Sequence, residues 1–315
     1  MRALLYDRYG GLDVLRPCEI ALPAPGPDEV LVRVRAAALN PKDVLVRKGR
    51  FRLLSGRRFP KGVGLDFAGE VVARGSRIRG VAVGDRIYGA LQQWSYRRGT
   101  LAEYVAVRDS EFAPMPGALA FEEAAALPLV SLTALQALRD VAGVRDGERV
   151  CVHGASGGVG TAAVQMARAL GATVATTSSE ANRDLCSSLG ASETFDYARG
   201  DAFSGAHRFR VIFDAFGDLS FARVRPALDA RGVYVTTVPS RRVFGDAIRT
   251  LAGYPRARLV VARSRRADLE WISDLVERGG LRPVVEMVVP FGDAVQGLRR
   301  LETRHARGKI VVRLP

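Results

Sequence analysis

Apolar and polar residues alternate along Glu29-Val-Leu-Val-Arg-Val-Arg35, which predicts a half-buried strand. Phe67–Ala73, Asp85–Tyr88 and Glu103–Val107 predict further strands, and the opening Met1-Arg-Ala-Leu-Leu-Tyr-Asp7 also starts like one. Turn residues separate these runs: Pro23 to Pro27, Gly62 to Gly64, Gly75, Gly84 and Gly99. After Pro114-Met-Pro-Gly117 the pattern becomes helical, through Phe121–Leu127 and Leu132–Val141. A second series of strand-like runs begins near Arg149: Val150–His153, Thr173–Thr177, Arg210–Asp214, Gly232–Val238 and Arg258–Ala262. Helix-like stretches lie between the earlier of these, as a doubly wound parallel sheet requires. In the tail, Leu269, Ile272, Leu275 and Val276 fall at helical spacing within Asp268–Arg278, and a second helix is predicted near Asp293–Leu301. Val284–Val289 and Lys309–Arg313 look like strands. The fold class is therefore α/β. A β-rich domain (residues 1–122 and 267–315) is interrupted by a parallel-sheet domain (residues 123–266).

Composition narrows the class. At 315 residues the chain has material for two cores. It has no apolar run near 18 residues, so neither a membrane span nor a membrane partner is expected. The N-terminus lacks a signal-peptide layout, and Cys18, Cys151 and Cys186 are scattered, which fits a reducing cytoplasm. Net charge is +14, but the arginines are spread along the chain and no RNP-like aromatic pattern accompanies them, so no nucleic acid is expected. One local cluster stands apart. Val46–Lys61 carries Arg47, Lys48, Arg50, Arg52, Arg57, Arg58 and Lys61 with no acid. It reads as a solvated loop or as a basic rim that steers an anionic substrate or acidic partner.

The candidate chemistry starts at Val150-Cys-Val-His-Gly154-Ala155-Ser156-Gly157-Gly158-Val159-Gly160. An apolar strand enters a glycine-rich turn, and the turn enters the helix-like Thr161–Leu170. Ala155, Ser156, Gly157, Gly158, Val159 and Gly160 would bring backbone N–H groups and a helix N-terminus up to a pyrophosphate. The bland alternative is a tight turn without a ligand. Thr173–Thr177 completes the βαβ unit and favours a dinucleotide. Its end carries Thr177 and Ser178 rather than an acid, and Arg183 follows, which favours NADP (NADPH); Glu180 argues for NAD.

Further segments occur in a telling order: Asn40-Pro-Lys-Asp43, Gly64-Leu-Asp66-Phe-Ala-Gly-Glu-Val71, Gly84-Asp-Arg86, Gly99-Thr-Leu-Ala-Glu-Tyr104, Leu127-Pro128 with Leu132-Thr-Ala134, Leu189-Gly-Ala191 and Arg307-Gly-Lys-Ile-Val311. With the glycine turn, they resemble the zinc-independent, quinone oxidoreductase-like branch of the medium-chain dehydrogenase/reductase superfamily, over nearly the whole chain. The resemblance implies a GroES-like catalytic domain with an inserted Rossmann domain. It places Asn40 and Thr133 beside the nicotinamide, with Phe216, Gly217 and Val238 lining the same pocket, Tyr197 near the 2′-phosphate and Lys309 on the cofactor side or capping the last strand. A lysine common before Arg183 is Asn182 here.

Zinc members have Cys and His where this chain has Asn40 and Asp66, so no metal is expected. Asn40, Asp43 and Tyr96 are the candidate catalytic residues; Lys48, Phe51, Trp94 and Tyr96 are the candidate substrate contacts. Tyrosines found in many relatives are replaced by Leu45 and Phe51. The implied activity is NADPH-dependent hydride transfer to a quinone or α,β-unsaturated carbonyl. An enoyl-thioester reductase acting on a coenzyme A or carrier-protein substrate is the alternative, as is a nucleotide-binding protein without redox catalysis. A homodimer through the edge strand containing Leu259-Val-Val261 is also implied.

Overall fold

The computed structural model describes residues 1–200, 202–204 and 207–315. They form two compact units, Met1–Leu129 with Arg263–Gly279 and Pro283–Pro315, and Val130–Ala262 with Gly280–Arg282.

The first unit begins with β1 (Arg2–Tyr6), β2 (Leu15–Glu19), β3 (Glu29–Ala38), β4 (Lys61–Gly62), β5 (Asp66–Arg74), β6 (Arg86–Ala90), β7 (Tyr104–Arg108) and β8 (Phe112–Pro114). Strands β2, β1 and β4 form a small antiparallel sheet. β3 is the axis of the larger one. Its alternating pattern holds for Val30, Val32 and Val34, but Leu31 and the run Ala36–Ala38 are buried as well. The helix Phe121–Ala125 packs on β3 and β5, so small alanines replace polar residues there. Each fully buried valine contributes about 1.5–3 kcal/mol relative to exposure.

The second unit contains β9 (Arg149–His153), β10 (Thr173–Ser178), β11 (Glu193–Asp196), β12 (Phe209–Asp214), β13 (Leu228–Thr236) and β14 (Arg256–Leu259). They lie parallel in the order β11-β10-β9-β12-β13-β14. This is the doubly wound dinucleotide-binding arrangement, with its topological switch between β9 and β12. Between β9 and β10 runs the helix Gly158–Ala169, whose buried side is Ala162, Ala163, Val164, Met166 and Ala167. After β13 comes the helix Arg241–Arg249, whose N-terminus is capped by Ser240 Oγ accepting from Val243 N at 3.2 Å.

The chain then returns to the first unit with the helix Arg266–Glu277, β15 (Val285–Pro290), the helix Ala294–Glu302 and β16 (Lys309–Arg313). β15 and β16 are parallel, and β16 joins β3 antiparallel. Unit boundaries fall at 129/130 and 262/263 rather than at 122/123 and 266/267. Two anchors explain the shift. Leu129 N donates to Asp66 Oδ1 at 2.8 Å. Ser264 donates through its backbone N to Gln92 Oε1 and through Oγ to Ala90 O, at 2.7 and 2.6 Å.

Candidate active site

In the first unit, sheet register assembles a buried polar group from three strand ends. Ala38 near the end of β3 pairs with Asp66 at the start of β5 on one edge and with Val311 of β16 on the other. Asn40 therefore arrives between Asp66 and Lys309. Its Nδ2 donates to Asp66 Oδ2 at 2.9 Å. Lys309 Nζ donates to Asn40 Oδ1 at 2.6 Å and to Asp66 Oδ2 at 2.8 Å. All three side chains are buried. An ammonium has three donors, and two are used here.

Asn40 also caps the helix Pro41–Arg47: Asp43 Oδ2 accepts from Asn40 N at 2.9 Å, and Pro41 suits the first helical position. Burial pushes the Asp43 carboxyl up to about 7, against the pull of the Asn40 N–H and the Lys309 ammonium, with the Asp66 carboxylate adding to the rise. Asp43 Oδ1 and the Tyr96 hydroxyl influence each other electrostatically, yet neither completes a well-formed hydrogen bond. Tyr96 takes a left-handed backbone conformation, φ 53°.

The expected site residues fall in different surroundings. Tyr96 was expected as a substrate contact, but its side chain lies inside the first unit's core, and burial, then Asp43, pushes its hydroxyl pKa far up. Lys48, another expected contact, is bonded to Glu302 Oε2 at 2.9 Å. Lys309 does not simply cap a strand; its ammonium holds Asn40 and Asp66. Phe51 and Trp94 do meet, edge to face at 5.9 Å, and Lys42 Nζ lies 4.1 Å from the centre of the Trp94 ring.

In the second unit, the chain turns sharply at Gly154 (φ 72°) and the helix starts at Gly158. Gly160 is required by packing, because a Cβ there would lie 2.2 Å from Gly154 O. Gly157 is different. Its backbone is extended (φ −78°, ψ 172°), and the nearest atom to an added Cβ is Gly154 O at 3.6 Å. Neither conformation nor the protein's own packing demands glycine at 157. An approaching pyrophosphate does, because the N–H groups of the helix's first turn have no intrahelical partners. A dinucleotide fits this cradle.

The rim around the turn is tied by contacts that local sequence patterns do not reveal. His153 Nδ1 pairs with Thr177 Oγ1 at 2.5 Å and Nε2 with Asp218 Oδ1 at 2.7 Å. Thr177 and Ser178 are both buried, and Ser178 Oγ donates to Ser179 O at 3.1 Å. The hydroxyls that stand in place of an acid at this strand end thus bond within the protein. Beyond them, Asn182 Nδ2 donates to Ser156 Oγ and Ser179 Oγ, both at 3.1 Å. Arg183 is exposed beside Glu180, 3.3 Å away, and Tyr197 is exposed. Phe216, Gly217 and Val238 come together at the ends of β12 and β13: a Cβ on Gly217 would sit 2.1 Å from Val238 Cγ2. Thr133 lies buried in the helix Pro128–Leu135.

Two groups bear on a metal. At Asn40 and Asp66 a divalent cation would meet the Lys309 ammonium, and an amide is a poor zinc donor, so this set does not fit zinc. His153, Asp214 and Asp218 bring ligand-type atoms within 4.8 Å of one another. Asp214, however, accepts from Gly217 N at 2.6 Å, Leu219 N at 3.1 Å and Tyr234 Oη at 3.0 Å, which shapes the loop after β12.

Residues 26–117 match the family model described as alcohol dehydrogenase GroES-like domain, and residues 189–312 match the model described as zinc-binding dehydrogenase. The chain is 35% identical to 2-methylene-furan-3-one reductase of Solanum lycopersicum, covering 99% of this chain and 79% of that one. It is 32% identical to NAD(P)H oxidoreductase RTN4IP1, mitochondrial, of Danio rerio, covering 99% and 91%. The chain belongs to the medium-chain dehydrogenase/reductase superfamily, as a quinone oxidoreductase-like member. Among solved structures, the quinone oxidoreductase of Coxiella burnetii superposes with a TM-score of 0.90 at 29% identity, covering 100% and 99% of the two chains. As a member of this superfamily, the protein is an oxidoreductase that uses a nicotinamide cofactor.

Proposed function

We propose that this medium-chain reductase uses NADPH to reduce a quinone or an α,β-unsaturated carbonyl without a metal. The observation that carries the reading is the Lys309 ammonium seated on Asn40 and Asp66, a fixed positive charge with one N–H left over. Such a donor stabilises negative charge developing on an acceptor oxygen. One relative supports the reading by its name, since a 2-methylene-furan-3-one carries a double bond conjugated to a carbonyl. When bound, the reduced nicotinamide supplies the hydride; the protein binds the pyrophosphate at Gly157–Gly160 and excludes competing orientations. Preference for NADPH rests on Arg183 and on the absence of an acid at the end of β10.

The test is steady-state oxidation of NADPH and NADH over a panel of quinones and enones. We expect turnover with NADPH at the lower KM. Arg183→Ala should raise KM for NADPH and leave that for NADH unchanged. Gly157→Ala should keep its far-UV circular dichroism yet raise the cofactor KM on the order of tenfold, because only the ligand needs that space. No turnover with any acceptor, or equal effects of Arg183→Ala on both cofactors, would overturn the reading.

A homodimer is proposed as well. Among the described residues β14 is the edge of its sheet, paired only with β13, and Phe244, Ile248 and Leu251 are exposed on and after the helix Arg241–Arg249. Ile248→Glu should convert a dimer to a monomer in light scattering. A monomeric wild type would refute the assignment.

A further inference from the structure

The acid-free stretch 44–65 is sorted by the fold into two sets of cations. Arg47 and Lys48 both pair with Glu302, and Arg47 Nη1 also donates to Gly10 O at 2.8 Å. Lys61 is fully buried and donates to Ser55 O at 2.6 Å and Ser95 O at 2.8 Å. Arg50, Arg52, Arg57 and Arg58 are exposed and have no acidic partner among the described residues.

Between these arginines lies the one-turn helix Arg52–Ser55, with Leu53 at 95% and Leu54 at 61% exposure. The turn is braced from beneath. Tyr9 Oη accepts from Ser55 Oγ at 2.7 Å and donates to Gly56 O, and Phe59 packs edge-on to Tyr9 at 5.1 Å. A buried lysine is costly unless it is hydrogen-bonded, and here its bonds go to holding this turn. The result is a rigid projection that keeps two leucines in water and surrounds them with unpaired positive charge.

We propose that the face Arg50–Arg58 docks onto an anionic lipid surface. Leu53 and Leu54 enter the boundary between headgroups and acyl chains, and the four arginines engage lipid phosphates. Side chains this exposed project rather than line a groove, which suits a deformable lipid interface better than a shaped protein partner. The net charge of +14 adds attraction at longer range. This docking differs from the expectation of no membrane partner, which excluded a span and not a surface contact. Docking does not depend on the reductase reading. A corollary that does rest on that reading is a preference for acceptors dissolved in lipid, since Phe51 at the head of the turn touches Trp94.

The test is co-sedimentation of the full chain with vesicles of phosphatidylcholine, alone or mixed with phosphatidylglycerol, at low and high salt. Binding is expected only to the anionic vesicles, and salt should weaken it. Leu53→Ser/Leu54→Ser should weaken it about tenfold or more, and Arg57→Glu/Arg58→Glu should abolish it at low salt, with circular dichroism unchanged in both. Absence of binding to anionic vesicles at low salt overturns the proposal. Binding unaffected by the leucine substitutions also overturns it, because the chain would then adsorb by charge alone with no insertion of Leu53 and Leu54.

Discussion

Replacing Lys309 by Met lowers the stability of the first unit by about 3–5 kcal/mol, because it leaves the Asp66 carboxylate buried without its cation. Asp66 would keep Asn40 Nδ2 and Leu129 N as donors, and neither carries charge. In thermal unfolding the expected loss is on the order of 10 °C. The double variant Asp66→Asn/Lys309→Met removes both charges and should recover most of it. Reductase turnover should stay absent in both, since the ammonium is gone in each. A single variant that melts like wild type would show that Asp66 does not need Lys309. A double variant with normal turnover would remove Lys309 from the proposed chemistry.

The second large effect depends on pH. The Asp43 carboxyl sits near 7 in the fold, against an ordinary value of 3.8, because burial disfavours its charged form. The folded protein therefore holds this proton over a range where the unfolded chain has released it. The associated stability is complete below about pH 4 and is lost as pH rises through 7. At about 1.4 kcal/mol per unit, the loss totals about 4 kcal/mol. Asp43→Asn has no such proton to lose, and its Oδ1 can still accept from Asn40 N. The variant should therefore gain stability relative to wild type as pH rises from 4 to 8. The measurement is denaturant unfolding at several pH values, and a difference that stays flat would place the Asp43 pKa in the ordinary range.

These two residues also show what was legible beforehand. The glycine turn was readable because its geometry is local: an apolar strand, small residues and an amphipathic helix follow one another within Arg149–Ala169. Five of the six strands of the parallel sheet were readable for the same reason, though Arg256–Leu259 begins and ends earlier than its apolar run Leu259–Val261 suggested, and the short edge strand Glu193–Asp196 was not. Lys309 with Asn40 was not readable, because the partners lie 269 positions apart and meet only through the register of β16 on β3. The basic stretch misled in the same way. Its missing acid is Glu302, more than 250 residues away, whose single carboxylate pairs with both Arg47 and Lys48. Tyr96 looked like a pocket residue because its loop is polar; tertiary packing put the ring inside instead.

The His153 bridge has a consequence for redesign. Selectivity for NADH in a dinucleotide-binding sheet is most simply sought by placing an acid at the end of the second strand. In this protein that strand end is the fastening between two neighbouring strands and the loop after β12, since Thr177 grips His153 and His153 grips Asp218. An acid at 177 would loosen the rim before it could select a ribose. The residues open to alteration without that penalty are Glu180 and Arg183 just beyond it, which are exposed and paired with each other. Cofactor selectivity here is engineered more safely from the helix than from the sheet.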